Sequence, residues 1–298
     1  MNGSSWPRQG RVALALVGLI GSLWSLQAPA LPLWEVSGTS NRVLLLGSIH
    51  FLRASDYPLD PAITAAFDQA GVVYMELDMD DLEPVATARA VAGLARDPGG
   101  RQLPELLGPR AWRAASSEIR ALGLDPAGLV PWEPWYAAVL VTQLRLAQLG
   151  FDQSLGVEAR LAADAERDHK EIRGLETLEG QLGALDSLSA EAQRDFLQGT
   201  LEEAAAVDDM AAAMITAWKS GDVAALEGDL LASVREQPEL YQTLILRRNE
   251  GFARTIGQLV GDRQDYLVVM GALHLVGPDS VLKLLARQGI ASRQVGTD

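Results

Sequence analysis

The sequence contains no cysteine, and this absence removes several kinds of chemistry at once. Without thiols the chain forms no disulfide, binds no metal through sulfur, has no cysteine nucleophile and carries no lipidated N-terminal cysteine. It also lacks any cluster of lysine and arginine, and its formal net charge is -14. A chain this acidic does not attract nucleic acid or an anionic membrane through its overall field, so we expect neither as a partner.

Short catalytic signatures are missing as well. The chain has no His-Glu-x-x-His zinc motif, no Gly-x-Ser-x-Gly nucleophile turn, no phosphate-binding glycine-rich loop and no dinucleotide fingerprint. These absences exclude the enzyme classes that one short motif identifies. What remains is a chain of 298 residues, 48% hydrophobic and 21% charged, which is the composition of a globular protein with a substantial core.

Residues 1–30 have the layout of a secretory signal peptide. Arg8 and Arg11 form a basic start, residues 12–26 are an uncharged apolar run, and residues 28–30 read Ala-Pro-Ala, a small-x-small cleavage site. An uncleaved N-terminal membrane anchor is the alternative, although the apolar run is short for a span. Both alternatives predict an exported protein, periplasmic or secreted, that touches a membrane only through this segment.

Residues 31–298 predict a single domain of the α/β class. Asp60 and Pro61 predict a helix start, and a mainly helical section covers about residues 80–261. Each end of the domain shows an apolar strand, Gly-x-x-His, a helix and another strand. We therefore expect two βαβ-like halves that form a central mixed, mostly parallel sheet, with a large helical insertion between them. The strands are predicted over residues 33–36, 42–46, 72–77, 170–175, 266–270 and 292–295.

Two of the three histidines stand in the same local pattern. Gly47 precedes His50 and Gly271 precedes His274 by three residues, and each pair follows an apolar strand. Composition alone would produce this coincidence in about 3% of chains, so the repetition points to a shared site. Glycine at a strand end lets the backbone turn tightly or lets another group come close. The third histidine, His169, lies in a charged stretch that predicts a surface turn.

Carboxylates stand at the ends of two other predicted strands. Glu76 lies at the end of the strand after His50, and ligand sites in parallel sheets form at the carboxyl ends of the strands. Two imidazoles and one carboxylate make a known metal-binding set. The residues alone leave a second interpretation open, in which His50 and His274 are hydrogen-bonded supports of two similar turns. Glu176, at the end of the inner strand, could reach the same edge of the sheet.

The ordered set of motifs resembles the TraB/GumN family, which is similar to the Tiki metalloproteases and more distantly to erythromycin esterase and the haem-binding ChaN proteins. The resemblance covers nearly all of the chain after residue 30. Two positions depart from the family pattern: Leu273 stands where many members have Gly or Ala, and Arg247 stands where an acid often precedes the Arg-Asn pair. The matching residues are 46–50, Glu76, 174–177, Gln181, Arg248, Asn249 and 271–277.

This resemblance implies a divalent-metal-dependent hydrolase, and favours a peptidase acting on a peptide or small-molecule substrate. The implied ligands of the ion, which would be Mn, Co or Zn, are His50, Glu76 and His274, on motifs that begin at Gly47 and Gly271. The implied catalytic residues are Arg248 or Asn249 as the oxyanion donor and Glu176 as a base or supporting partner.

Two other functions fit the same residues. One is a non-catalytic envelope protein that binds a peptide, a haem-like ligand or a polysaccharide component in the same cleft. The other is an esterase-like enzyme without metal, in which His50 or His274 acts as the general base. Metal content separates the first function from these two.

Overall fold

The computed structural model describes residues 31–37, 40–228, 231 and 234–296. The predicted signal peptide, residues 1–30, lies outside the described residues. Within the described ranges, no helix is both long enough and apolar enough to cross a membrane.

A six-stranded sheet forms the centre of the fold. Its strands are β1 (Leu33–Ser37), β2 (Arg42–Ser48), β3 (Val72–Met75), β4 (Glu171–Gly174), β5 (Tyr266–Gly271) and β6 (Ser292–Gln294). Their order across the sheet is β4-β3-β5-β2-β1-β6. The strands β4, β3, β5 and β2 run parallel, whereas β1 pairs antiparallel with both β2 and β6. The predicted α/β class with a mixed, mostly parallel sheet is therefore confirmed.

Helices cover the sheet and fill the section between β3 and β5, which also contains β4 as the sequence indicated. A π-helical turn, Gln242–Leu246, joins α10 to α11, and a short 3-10 turn, Ala272–Leu275, follows β5. The helices are α1 (Pro61–Gln69), α2 (Pro84–Leu94), α3 (Leu103–Ala121), α4 (Pro134–Gln148), α5 (Val157–Asp168), α6 (Leu178–Asp186), α7 (Ala190–Glu203), α8 (Val207–Ser220), α9 (Val223–Glu227), α10 (Pro238–Tyr241), α11 (Arg247–Leu259) and α12 (Val281–Arg287).

The start of α1 shows how the sequence sets local structure. The Asp60 carboxylate accepts a hydrogen bond from the Ala62 N–H at 2.8 Å, and Pro61 occupies the first helical position, where no N–H is needed. One face of the helix buries Ile63 and Phe67 in the core. This burial holds α1 against the sheet, and the chain then returns to form β3.

Side chains of the central strands alternate between two apolar cores. In β2, Leu44 and Leu46 face one core, and Val43 and Leu45 face the other. Residues of α1, α5 and α8 complete the first core, and residues of α11 and α12 complete the second. A third cluster joins α3, α4 and α7. The sheet is thus held between two helical layers, and its ends are free to carry polar groups.

Candidate functional site

The four parallel strands end at the same edge of the sheet, and a titratable residue follows each of them within three positions. The strand register aligns these ends, because Ser48 pairs with Gly271 and Met75 pairs with Gly174. The strand β3 stops at Met75, before the predicted end at residue 77, which leaves the next residue outside the strand. The residues gathered at this edge are His50 after β2, Glu76 after β3, Glu176 after β4 and His274 after β5.

The two motif glycines provide space, since neither has a left-handed backbone conformation. A Cβ atom on Gly47 would lie 3.1 Å from the Cα of Ala272, in the second motif. A Cβ atom on Gly271 would lie 3.3 Å from Glu76 Oε1 and 3.5 Å from His50 Nε2. Each glycine therefore leaves room for the opposite half of the site, and the two motifs pack together for this reason.

The three predicted metal ligands surround Gly271. His274 Nε2 lies 3.7 Å from Glu76 Oε1. His50 Nε2 lies within about 7 Å of the same oxygen. Two atoms bonded to one ion at about 2.0–2.2 Å lie no more than about 4.4 Å apart, so this distance alone does not place His50 at ligand spacing. In the part of the chain that the structure describes, no three such groups already stand at the spacing of a metal site. In this structure Arg248 contacts both Glu76 and His274.

Arg248 supplies the positive charge at the centre of the site. Its guanidinium donates to Glu76 Oε2 at 2.5 Å and to Glu176 Oε1 at 2.6 Å, and its Nη1 lies 3.2 Å from His274 Nε2. The Gln181 amide donates to both carboxylates, at 3.3 and 3.0 Å. The exposed fractions of the Arg248, Glu76 and Glu176 side chains are 13%, 9% and 16%. These charges stabilise one another, because each would otherwise be buried without a partner.

Asn249 fixes the orientation of the His274 ring. Its Oδ1 lies 2.6 Å from His274 Nδ1, and its Nδ2 donates to the Asp279 carbonyl at 2.8 Å. The Asp279 carbonyl oxygen can only accept, so the Asn249 amide turns its Nδ2 to Asp279 and its Oδ1 to His274. Oδ1 can also only accept, so His274 carries its proton on Nδ1 and presents the Nε2 lone pair to the site. Asn249 is fully buried, and both ends of its amide are occupied. Of the two residues that the resemblance implied as oxyanion donors, Arg248 contacts the site carboxylates directly, whereas Asn249 contacts the site through His274.

Glu158 positions His50 in the same way, and no pattern in the sequence indicated this residue. Its Oε1 lies 2.9 Å from His50 Nδ1 and also accepts a hydrogen bond from the Ser48 hydroxyl. Gly156 makes the contact possible, because a Cβ there would lie 2.2 Å from the His50 carbonyl oxygen. The start of α5 thus packs directly against the first motif and brings a carboxylate to the outer nitrogen of its histidine.

Neighbouring charges move the pKa values of the two histidines in opposite directions. The Glu158 carboxylate raises the pKa of His50 to about 9, against the effect of burial. Half of the His50 side chain is exposed, so solvent screens this pair. Burial lowers the pKa of His274 to about 4, and the attraction of Glu76 only partly opposes it. At neutral pH, His50 is therefore charged and His274 is neutral.

Glu76 stays ionised although it is buried. Burial alone would raise its pKa, but the positive charges of His274, Arg248 and His50 lower the pKa to about 2, together with a hydrogen bond of 2.7 Å from the Gly271 N–H. Because His274 is neutral above about pH 4, Arg248 and His50 supply this attraction at neutral pH. The site therefore holds a carboxylate beside a neutral imidazole.

We expect the buried His274 to make the protein less stable as the pH falls. The pKa of this ring is about 4 in the folded protein and 6.5 in the unfolded chain. As the pH falls, the unfolded chain therefore takes up the proton at a higher pH than the folded protein does. The loss begins near pH 6.5 and reaches about 3 kcal/mol of unfolding free energy near pH 4. Urea denaturation of the wild type and of His274→Gln, with a chelator present, measures the free energy of unfolding at each pH. If this free energy depended on pH equally in both proteins, His274 would not be the group responsible.

The third histidine lies elsewhere. His169 is exposed and ends α5 with a left-handed backbone, φ 52°. This is the surface turn that the sequence predicted, and it makes His169 a matched control for substitutions at the other two histidines.

Two cavities meet at His50 and Phe51. The larger, about 530 Å³, also contains Glu76, Glu158 and Gln181 in its lining. The smaller, about 290 Å³, is lined mostly by apolar side chains. The candidate site therefore lies in a cleft that continues on both sides of His50, which is the form expected of a ligand-binding site.

Comparison with known proteins places the chain in a family. The sequence profile of the TraB/PrgY/gumN family matches residues 32–294. An uncharacterized protein of Treponema pallidum (strain Nichols) is 23% identical over 270 residues, which cover 86% of this chain and 80% of that protein. The uncharacterized protein YbaP of Escherichia coli (strain K12) is 24% identical over 242 residues, which cover 81% of this chain and 86% of YbaP. No solved structure matches significantly. With a match along nearly its whole length, the chain belongs to the TraB/PrgY/gumN family.

Proposed function

We propose that this protein is an exported, divalent-metal-dependent hydrolase that cleaves peptides at the site formed by its paired Gly-x-x-His motifs. One observation carries the proposal. His50 and His274 converge on Glu76, and each imidazole has an acceptor oxygen at its outer nitrogen. Such an outer partner fixes the ring, as is usual for metal-binding histidines, and the inner nitrogens become ligands when His50 loses its proton and Arg248 releases His274 Nε2. Two imidazoles and a carboxylate are donor types that suit a divalent ion.

The charge balance of the site also suits a divalent cation. Arg248 faces the carboxylates of Glu76 and Glu176, and His50 faces that of Glu158. When His50 loses its proton to bind an ion, three carboxylates face one cation in a largely buried space, where charge is poorly screened. Nitrogen and oxygen ligands of this kind suit Mn, Co and Zn.

An ion held by His50, His274 and Glu76 would lower the pKa of a bound water and polarise a carbonyl group. Arg248 would stabilise the negative oxygen of the tetrahedral intermediate. Its Nη1 is the donor available for this, because its contacts are the longest of the guanidinium, 3.2 Å to His274 and 3.4 Å to the Leu244 carbonyl. Glu176 holds the other side of Arg248 and acts as a positioning residue rather than as a base.

Peptide hydrolysis adds the oxygen of water to the carbonyl carbon and breaks the C–N bond. The water proton must then reach the leaving nitrogen, so the products are a carboxylate and an amine. Glu158 would exchange that proton through a water in the larger cavity, because it lines this cavity, its Oε1 is held at the outer nitrogen of His50, and its Oε2 is a buried acceptor without a hydrogen-bond partner among the described residues. A carboxylate that accepts a proton from water and returns it to the leaving group acts as a general acid–base.

The shape of the cleft supports a peptide substrate. Cavities of about 530 and 290 Å³ lie on the two sides of His50. A bound chain can therefore extend past the reacting centre in both directions, as an internal peptide bond requires.

Cleavage of a defined mixture of decapeptides, read by mass spectrometry, tests the proposal. The protein is purified without a histidine tag and assayed with Mn, Co or Zn, with a chelator, and after the ion is restored. We expect new peptide ends that disappear with the chelator and return with the ion. Cleavage that resists the chelator would favour the metal-free enzyme. A bound ion without any cleavage would favour the non-catalytic binding protein.

A further inference from the structure

We infer that the smaller cavity is a pocket for one large apolar side chain of the substrate, next to the bond that is cleaved, and that Leu273 sets its size. As a statement about a substrate, the inference rests on the proposed function. The cavity, about 290 Å³, is named here the apolar pocket. Its apolar lining includes Phe51, Leu146, Phe151, Met214, Leu244 and Leu273.

The apolar pocket opens directly on the reacting groups. His50, Arg248, Gly271 and His274 belong to its lining, and His50 also lines the larger cavity. A side chain that fills the pocket therefore leaves its own main chain beside the two imidazoles. For this reason we assign the pocket to the residue adjacent to the scissile bond and not to a more distant part of the substrate.

The lining selects against charged side chains. Among the described residues, the charged groups that line the apolar pocket are His50 and Arg248, both at its junction with the site. Arg248 is already paired with Glu76 and Glu176, so it offers little to a substrate carboxylate. A charged side chain in the pocket would lose its hydration without gaining a partner, whereas an aliphatic or aromatic one would leave water favourably.

Leu273 connects the pocket to the second motif. It directly precedes His274, and its side chain is partly buried against the pocket. The volume corresponds to about ten water molecules, enough for a leucine, methionine or phenylalanine side chain. A smaller residue at 273 would enlarge the pocket and leave both imidazoles in place, so this position changes specificity without changing the metal ligands.

The first test compares cleavage preferences of three proteins on the decapeptide mixture with the ion present. We expect the wild type to cut beside Leu, Met or Phe at least about tenfold more often than beside Asp or Gly, the usual scale of discrimination by an apolar pocket. Leu273→Ala should shift the preference toward Phe and Trp. Leu144→Ala is the matched control, because Leu144 is 45% exposed and lines neither cavity, and it should keep the wild-type preference.

A binding measurement separates this inference from the proposed function. Met214 lines the apolar pocket, so its methyl group reports on the occupant. In protein labelled with [13C-methyl]methionine, N-acetyl-leucinamide should shift the Met214 resonance, identified with Met214→Leu, and N-acetyl-aspartamide should not. A shift without any peptide cleavage would overturn the hydrolase and retain the pocket. Absence of the shift, or cleavage with no apolar preference, would overturn the inference and leave the hydrolase standing on its own test.

Discussion

Replacing either His50 or His274 with alanine should weaken the binding of a divalent ion more than about 100-fold. Loss of a residue that only hydrogen-bonds to a metal ligand weakens binding about 10- to 100-fold, and loss of the ligand itself should cost more. The wild type should bind about one Mn, Co or Zn ion through the two imidazoles and the Glu76 carboxylate. Each histidine would contribute one of three ligands, and in each case a contact at the outer nitrogen holds the ring. Calorimetric titration and elemental analysis after dialysis measure the affinity and the metal content.

His169→Ala is the control for this experiment, since it removes an exposed histidine that caps α5. It should bind the ion as the wild type does. Glu158→Gln should give an intermediate result, with affinity lowered about 10- to 100-fold, because it removes the charge behind His50 and retains the ligand. Circular dichroism shows whether each variant is folded. Full metal content in both His50→Ala and His274→Ala would refute the predicted ligand set.

Replacing Arg248 with methionine should lower the free energy of unfolding by about 3–5 kcal/mol, the usual cost of removing one partner from a buried ion pair. Glu76 and Glu176 both depend on this guanidinium, at 2.5 and 2.6 Å, and neither carboxylate can turn to solvent easily. Arg248→Lys should recover only part of the loss, because an ammonium cannot donate to both carboxylates in the same fork geometry. Urea denaturation with a chelator present gives these values.

The neighbouring arginine provides the matched control for this substitution. Arg247 is exposed, so Arg247→Met should change the free energy of unfolding by no more than about 0.5 kcal/mol. Equal effects of Arg247→Met and Arg248→Met, or a loss below about 1 kcal/mol for Arg248→Met, would show that Arg248 does not hold the site together.

The halves of the sheet that carry the histidines were predictable because their signals are local. An apolar strand and the Gly-x-x-His motif that ends it form one short continuous segment, once at β2 and once at β5. Since parallel strands present their carboxyl ends at the same edge, the two motifs could be placed together from the sequence. The same argument placed Glu76 and Glu176 at that edge.

Glu158 could not be predicted, because its role depends on a contact between distant segments. A carboxylate in the first turn of α5 is ordinarily explained by the helix dipole. Only the packing of Gly156 against the His50 carbonyl brings Glu158 to the imidazole. Gly156 gives no signal of its own in the sequence, since turns contain many glycines for other reasons.

The family resemblance identified Arg248 and Asn249 but could not separate their roles. Consecutive residues of an α-helix point about 100° apart, so only the packing of α11 decides which of them faces the carboxylates. In the structure Arg248 reaches Glu76, and Asn249 is buried behind His274. A π-helical turn ends at Leu246, two residues before Arg248, and such turns frequently occur at functional sites.

Anomalous diffraction from crystals of the protein grown with Mn²⁺ tests the central claim most directly. We expect one anomalous peak within about 2.0–2.3 Å of the Nε2 atoms of His50 and His274 and of the Glu76 carboxylate. The Nδ1 atoms of the two rings should still contact Glu158 and Asn249. Ordered side chains with no peak between them, or a peak bound by other residues, would contradict a metal site at the paired motifs.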